Sequence, residues 1–201
     1  MTEQLTVFVV DDDQDFRDSL IWLLEGAGFN CSAFDCAEAF LTDYAGQPGC
    51  LLLDIRMPGL SGLQLQQQLN RTSVALPVIL MTGHGNVAWA VEGMKNRAVD
   101  FIEKPFDDEA LLTLVADTLQ LARQRFAEAG QRAQLQEHWD SLSRREKQVA
   151  ELVVRGMANK EIAEQLAITI KTVEAHRSRA MKKMDCSSLA NFVDVYRSLS
   201  R

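Results

Sequence analysis

The chain has 201 residues, 47% of them apolar and 24% charged, which suits one large or two small globular domains and excludes a disordered polymer. No apolar run approaches the ~20 residues that cross a bilayer, and the start Met1-Thr2-Glu3-Gln4 lacks the basic and apolar stretches of a secretory leader. Charge is unevenly spread: residues 1–120 hold 6 Lys and Arg against 18 Asp and Glu, a net −12, and residues 121–201 hold 15 against 10, a net +5.

Such asymmetry points to two domains with different partners, and the sign of the second permits nucleic acid. Up to about residue 106, short apolar runs alternate with amphipathic stretches. Strands are expected at 5–10, 31–34, 50–53, 77–82 and 99–102, and helices at 14–26, 37–44, 62–70, 86–96 and from about 108. Continuous runs such as Val78-Ile79-Leu80-Met81 fit strands buried on both faces. Pro58-Gly59, Gly83 and Gly85 fall in loops after strands. This alternation predicts an α/β fold with a doubly wound parallel sheet. Cys31, Cys36, Cys50 and Cys186 show no metal-ligand spacing with histidine and read as reduced thiols of a cytosolic protein.

Between 108 and 138 Gly130 is the sole Gly or Pro. Leu111, Leu112, Val115 and Leu119 form a stripe that should cover the sheet, and Asp107 or Asp108 can cap its start. Beyond Leu121 the composition predicts one helix leaving the first domain, or two with a break near Gly130. Residues 139–201 carry no strand pattern. Helices fit 143–155, 159–166, 170–184 and 188–199, with a Ser143–Glu146 capping box, a stop at Gly156, a start at Thr169 or Ile170, and a cap at Ser187 or Ser188.

Polar residues end the apolar runs. Asp11-Asp12-Asp13 follows Val7-Phe8-Val9-Val10, Asp54 follows Leu51-Leu52-Leu53, Thr82 follows Met81, and Lys104-Pro105 follows Phe101-Ile102-Glu103. In an open parallel sheet these strand ends converge on one crevice. Acids and a lysine gathered there are costly without a cation, and oxygen donors of high charge suit Mg²⁺, which keeps waters and binds phosphoryl groups. His84, near the same loop, is read as a loop histidine rather than a base.

Those residues, with Asp54-Ile55-Arg56-Met57-Pro58-Gly59, Thr82-Gly83-His84-Gly85 and Phe101-Ile102-Glu103-Lys104-Pro105-Phe106, resemble a response regulator of two-component signalling from about Leu5 to Leu121. The resemblance implies a flavodoxin-like (βα)5 receiver. It implies Asp54 as phosphoacceptor from a sensor histidine kinase. It implies Mg²⁺ on the side chains of Asp12 and Asp54 and the backbone carbonyl of Arg56, with Asp11 helping through water. Lys104 would contact the phosphoryl group, Thr82 would swing towards it, and Phe101 would follow. Lys104-Pro105 would be cis. Two positions depart from the usual pattern: Asp13 extends the acidic run, and Arg97 precedes Ala98 where many members have Gly.

Ser143-Arg144-Arg145-Glu146-Lys147-Gln148-Val149-Ala150, Gly156, Asn159-Lys160-Glu161-Ile162-Ala163 and Lys171-Thr172-Val173-Glu174-Ala175-His176-Arg177 resemble the LuxR-type helix-turn-helix. Together the two halves resemble the FixJ-like (NarL) regulators, and Ser188-Leu189-Ala190-Asn191 looks closest to the branch including regulators of aromatic-hydrocarbon catabolism. The implied organisation is a receiver at 1–121, a helical linker at 122–138, and an all-α four-helix domain at 139–201. A helix-turn-helix lays its second helix, here about 170–184, in the major groove. Ile170, Val173, Ala180 and Met184 should face the core. Glu174, Ala175 and Ser178 are base-edge candidates. Lys171, Thr172, Arg177, Arg179, Lys182 and Lys183 are phosphate candidates. His176 reads as a packed residue, and the last helix as part core and part dimer surface.

The implied protein is a cytoplasmic transcription factor rather than an enzyme, with no membrane partner. Its partners would be a sensor kinase, double-stranded promoter DNA, RNA polymerase and, once phosphorylated, a second copy. Two rivals stand beside it: a phosphorylation-independent DNA binder, and a phosphatase-like phosphate sink.

Overall fold

A computed structural model of the chain describes residues 5–72, 74–83 and 87–199. In chain order the elements are β1 (Thr6–Val10), α1 (Gln14–Gly26), β2 (Asn30–Phe34), α2 (Ala37–Asp43), β3 (Gly49–Asp54), α3 (Gly62–Arg71), β4 (Val78–Thr82), α4 (Val87–Lys95), β5 (Asp100–Glu103) and α5 (Asp108–Asp140). The helices α6 (Arg144–Val154), α7 (Asn159–Leu166), α8 (Ile170–Lys183) and α9 (Leu189–Leu199) follow. A division into two compact units falls between Ala127 and Glu128.

The first unit holds one parallel sheet in the order β2-β1-β3-β4-β5. Successive strand side chains point to opposite faces. Phe8, Val10, Leu51, Leu53, Val78 and Leu80 therefore build one core layer with Phe40, Leu63, Leu65 and Leu69. Val7, Val9, Cys50, Leu52, Ile79 and Met81 build the other with Leu20, Leu24, Leu111, Val115 and Leu119. Burial of both faces explains why the strands read as unbroken apolar runs. At about 25 cal/mol per Å² of apolar surface, each buried Leu or Ile contributes about 2 kcal/mol.

Asp107 caps α5, accepting from Ala110 N–H at 2.9 Å. Gly130 does not break the helix, which runs unbroken from Asp108 to Asp140. A lone exposed glycine costs roughly 1 kcal/mol, too little to interrupt good helix formers on both sides. Arg97 adopts φ 66 as its N–H bonds Met94 O at 3.0 Å and Ala98 N–H bonds Gly93 O at 3.0 Å. The turn after α4 thus keeps a left-handed geometry with a side chain that pays for it in strain.

In the second unit Ser143 and Glu146 form the capping box of α6, and Gly156 at φ 85 follows its end. Thr169 caps α8, and Ser188 accepts from Asn191 N–H at 3.1 Å. The core contains Val149, Leu152, Val153, Ile162 and Val173, and beside them Leu142, Ala150, Ala180, Met184 and Phe192. One expectation fails: Ile170 is 46% exposed while Val173, Ala180 and Met184 are buried. Ile168, just before the helix, packs on that core instead, so the first helical residue is left outside it.

Candidate functional site

Asp54 closes β3 and Asp11 follows β1, at the same edge of adjacent strands. Both are buried, with 6% and 1% exposure. Lys104, just past β5, spans them: its Nζ donates to Asp54 Oδ1 and to Asp11 Oδ2, each at 2.6 Å. The ammonium also sits 3.9 Å from the Phe16 ring centroid. Asp54 Oδ2 accepts from Arg56 N–H at 2.6 Å, and Asp11 Oδ1 from Asp13 N–H at 3.0 Å. Thr82, buried at the end of β4, accepts the Lys104 N–H on its carbonyl at 2.7 Å. The Lys104-Pro105 bond is cis. Phe101 lies half-buried on β5 against the first core layer.

Of the acids at these strand ends, Asp11 and Asp54 meet the lysine. Asp12 is exposed and makes none of these bonds, and Asp13 caps α1 by accepting from Phe16 N–H at 3.1 Å. Burial pushes the Asp54 carboxyl up from its ordinary range, against the hydrogen bond and charge of Lys104, and the charge of Asp11 adds to the rise. One ammonium facing two buried carboxylates leaves an excess negative charge. His84 and Gly85 lie outside the described residues.

Among the described residues, no three His, Cys, Asp or Glu side chains are grouped as a ready metal site. The donors nonetheless fit a hard divalent ion. Asp11 and Asp54 offer carboxylate oxygens at the strand ends, Asp12 and the Arg56 carbonyl are their chain neighbours, and the excess charge favours a cation.

Three tertiary contacts have no signal in the sequence. Arg17 Nη1 donates to Asp11 O at 2.6 Å. Glu38 of α2 accepts from Leu60 N–H at 3.1 Å and so holds the loop after Asp54. The Arg56 guanidinium lies over the Trp89 ring, 4.6 Å from its centroid.

On α8, Lys171, Glu174, Ala175, Ser178, Arg179 and Lys182 are exposed. Thr172 and Arg177 are half-buried. Thr172 shares a 2.8 Å hydroxyl bond with Thr169, and Arg177 Nη1 donates to Asn159 Oδ1 at 3.4 Å. Glu174, Arg177, Ser178 and Lys182 line a surface groove of about 650 Å³ with Asn159. Lys183 is committed elsewhere: its Nζ reaches Glu146 Oε2 at 2.8 Å and Ser141 O at 3.0 Å. The Lys183 hydrogen bond holds the Glu146 carboxyl at a pKa of about 2, against the opposing effect of its burial. His176 is half-buried, as a packed residue should be.

Residues 7–116 match the model of the response regulator receiver domain, and residues 140–196 that of the bacterial regulatory proteins of the luxR family. The chain belongs to the two-component response regulators. It is 44% identical over 196 residues to the transcriptional regulatory protein FixJ of Azorhizobium caulinodans, covering 96% of this chain and 92% of that one. It is 40% identical over 190 residues to the response regulator protein TodT of Pseudomonas putida, covering 94% and 84%. Among solved structures, the response regulator StyR superposes with a TM-score of 0.80 at 44% identity, covering 96% of this chain and 98% of that one. Full-length FixJ from B. japonicum does so with 0.57 at 39%, covering 99% and 98%. The response regulator thus pairs a flavodoxin-like receiver with a helical LuxR-type domain, and its relatives are transcriptional regulators, not enzymes. The receiver implies a sensor kinase partner, and the LuxR-type domain implies DNA binding.

Proposed function

We propose that Asp54 accepts a phosphoryl group from a histidine kinase, that Mg²⁺ assists, and that the phosphorylated receiver dimerises to place paired helix-turn-helix units on promoter DNA, activating transcription with RNA polymerase. The observation that supports this most is the buried Asp54 carboxylate held at a strand end by Lys104 and the Arg56 N–H.

An Asp54 carboxylate oxygen attacks phosphorus. The Oδ–P bond forms as the P–N bond to the kinase imidazole breaks, and that electron pair returns to the ring nitrogen. Such transfer needs in-line placement and charge neutralisation more than covalent help. The bonds to Lys104 Nζ and Arg56 N–H fix the plane of the Asp54 carboxylate, and burial excludes competing water. Lys104 also neutralises charge on the incoming phosphoryl oxygens. Asp12, Asp54 and the Arg56 carbonyl would hold Mg²⁺, with Asp11 acting through water, and the ion would supply the remaining positive charge. Thr82 then donates its hydroxyl to a phosphoryl oxygen, and Phe101 follows.

The same reading takes residues 1–121 as receiver, 122–138 as linker and 139–201 as DNA-binding domain. On α8, Glu174, Ala175 and Ser178 read bases, and Lys171, Thr172, Arg177, Arg179 and Lys182 hold phosphates. Lys183 lends its charge from its tie to Glu146. Among the described residues no helix is long and apolar enough to cross a membrane, and the proposed site of action is the cytoplasm.

Sedimentation tests the proposal on wild type and Asp54→Asn, with Mg²⁺ and with or without beryllofluoride. A shift to dimer in wild type alone, matched by tighter retention of DNA from a random-sequence pool, supports it. A dimer in both proteins, or in neither, overturns it.

A further inference from the structure

Helix α4 is secured differently at its two ends. Near its C-terminal end, buried Gln66 donates through Nε2 to Gly93 O at 3.0 Å and Asn96 O at 3.1 Å, and Asn70 Nδ2 also bonds Asn96 O. Gly93 packs so closely on β4 that a Cβ there would collide with Leu80 Cδ1. In its first turn one tie is Trp89, whose indole packs on the first core layer under the Arg56 guanidinium. Arg56 is the residue whose backbone N–H bonds Asp54 Oδ2 at 2.6 Å. A cavity of about 510 Å³, lined by Arg56, Met57, Pro58, Ser61, Leu63 and Trp89, opens beside the stack. Farther along the helix Val91 and Met94 are 46% and 48% exposed.

We infer that the Arg56–Trp89 stack is a latch that holds the first turn of α4 at rest, and that occupancy of Asp54 releases it. The inference rests on the reading of Asp54 as phosphoacceptor. A phosphoryl group on Asp54 competes for the carboxylate oxygen that holds the Arg56 N–H, so the loop carrying Arg56 shifts and the guanidinium leaves the ring. The cavity gives the indole room to move. Gln66 keeps the far end pinned, so α4 pivots and re-presents Val91 and Met94 to a second copy. The two states then differ in a named contact, as a ligand-driven shift requires. Arg56 and Trp89 are positioning residues in this scheme.

The test uses the full chain grown with fluorotryptophan. Its three tryptophans give three fluorine resonances, assigned with Trp22→Phe and Trp139→Phe. Mg²⁺ with beryllofluoride should move the Trp89 resonance. Arg56→Gln should already show the moved position without beryllofluoride. The dimerisation constant without beryllofluoride should rise roughly 2- to 30-fold in Arg56→Gln and Trp89→Leu, the range a cation over an indole face supplies. Trp89→Phe keeps a cation over a ring and should stay near wild type. Arg56 is exposed, so its replacement opens no core cavity. The latch is overturned if Arg56→Gln and Trp89→Leu dimerise as wild type does, or if the Trp89 resonance ignores beryllofluoride while wild type dimerises. A wild type with no response to beryllofluoride at all would instead remove the reading of Asp54, and the variants measured without it would still decide the latch.

Discussion

Replacing Asp54 by Asn should stabilise the receiver when no divalent ion is present. Lys104 Nζ lies 2.6 Å from one oxygen of Asp11 and one of Asp54. Those two oxygens are therefore at most about 5 Å apart, and at an effective dielectric constant of ~20 two like charges at that distance repel by about 3 kcal/mol. Asparagine removes the repulsion and the desolvated charge. It keeps one acceptor for two donors, Lys104 Nζ and Arg56 N–H, and so forfeits a hydrogen bond of about 1 kcal/mol and part of the pairing with Lys104. The net gain should be about 1–2 kcal/mol. In a unit of this size that corresponds to a rise in Tm of roughly 3–8 °C. The sign follows the titration. The folded Asp54 carboxyl is raised above its ordinary 3.8, chiefly by burial. Wild type therefore matches the variant below the unfolded value and loses stability relative to it as pH rises through the folded one. The assay is calorimetry of the full chain in EDTA and again in millimolar Mg²⁺. Wild type should gain on adding Mg²⁺, by about 1.4 kcal/mol at tenfold the dissociation constant, and Asp54→Asn much less. Lys104→Ala should fall by about 3–5 kcal/mol in EDTA, since it strands two buried carboxylates. An Asp54→Asn protein that melts below wild type in EDTA, with an equal Mg²⁺ response, would show that no net repulsion is relieved at Asp54 and that Mg²⁺ does not bind through its carboxylate.

In the second unit, Glu146 has a folded pKa of about 2 against an ordinary 4.5, held there by Lys183. Its contribution should be complete above pH 4.5 and disappear as pH falls towards 2; Lys183→Met should cost about 1 kcal/mol at neutral pH, since Lys183 is partly exposed, and flatten that acid limb in urea melts. Arg97→Gly should stabilise the receiver by about 0.5–1 kcal/mol, the left-handed strain removed less the chain entropy of glycine, measured by denaturant midpoint at constant slope. Lys171→Ala and Lys182→Ala should each lower the salt slope of DNA binding by about 1, whereas Lys183→Met should lower it less because its ammonium already faces Glu146.

Much of the fold was legible because its causes are local or periodic. Unbroken apolar runs marked strands buried on both faces, and the register of adjacent parallel strands then carried Asp11 and Asp54 to one edge. The Ser143–Glu146 box is a signal of four residues and is present as read. Sequence pattern is silent where the deciding partner is distant in the chain. Lys183 has the spacing of an exposed phosphate contact, but Glu146, buried beneath it, needs a counterion, and satisfying that buried charge outweighs a free ammonium. Ile170 has the spacing of a core residue, but Ile168 fills that part of the core first. The same logic governs the acids. Composition at a strand end says that Asp11, Asp12 and Asp13 are near the crevice. Which of them bonds Lys104 depends on backbone geometry: Asp11 is buried against it, Asp13 turns to cap α1, and Asp12 stays exposed. That division of three adjacent acids lets one short run serve the site, start a helix and leave an exposed carboxylate where the proposed Mg²⁺ would meet it.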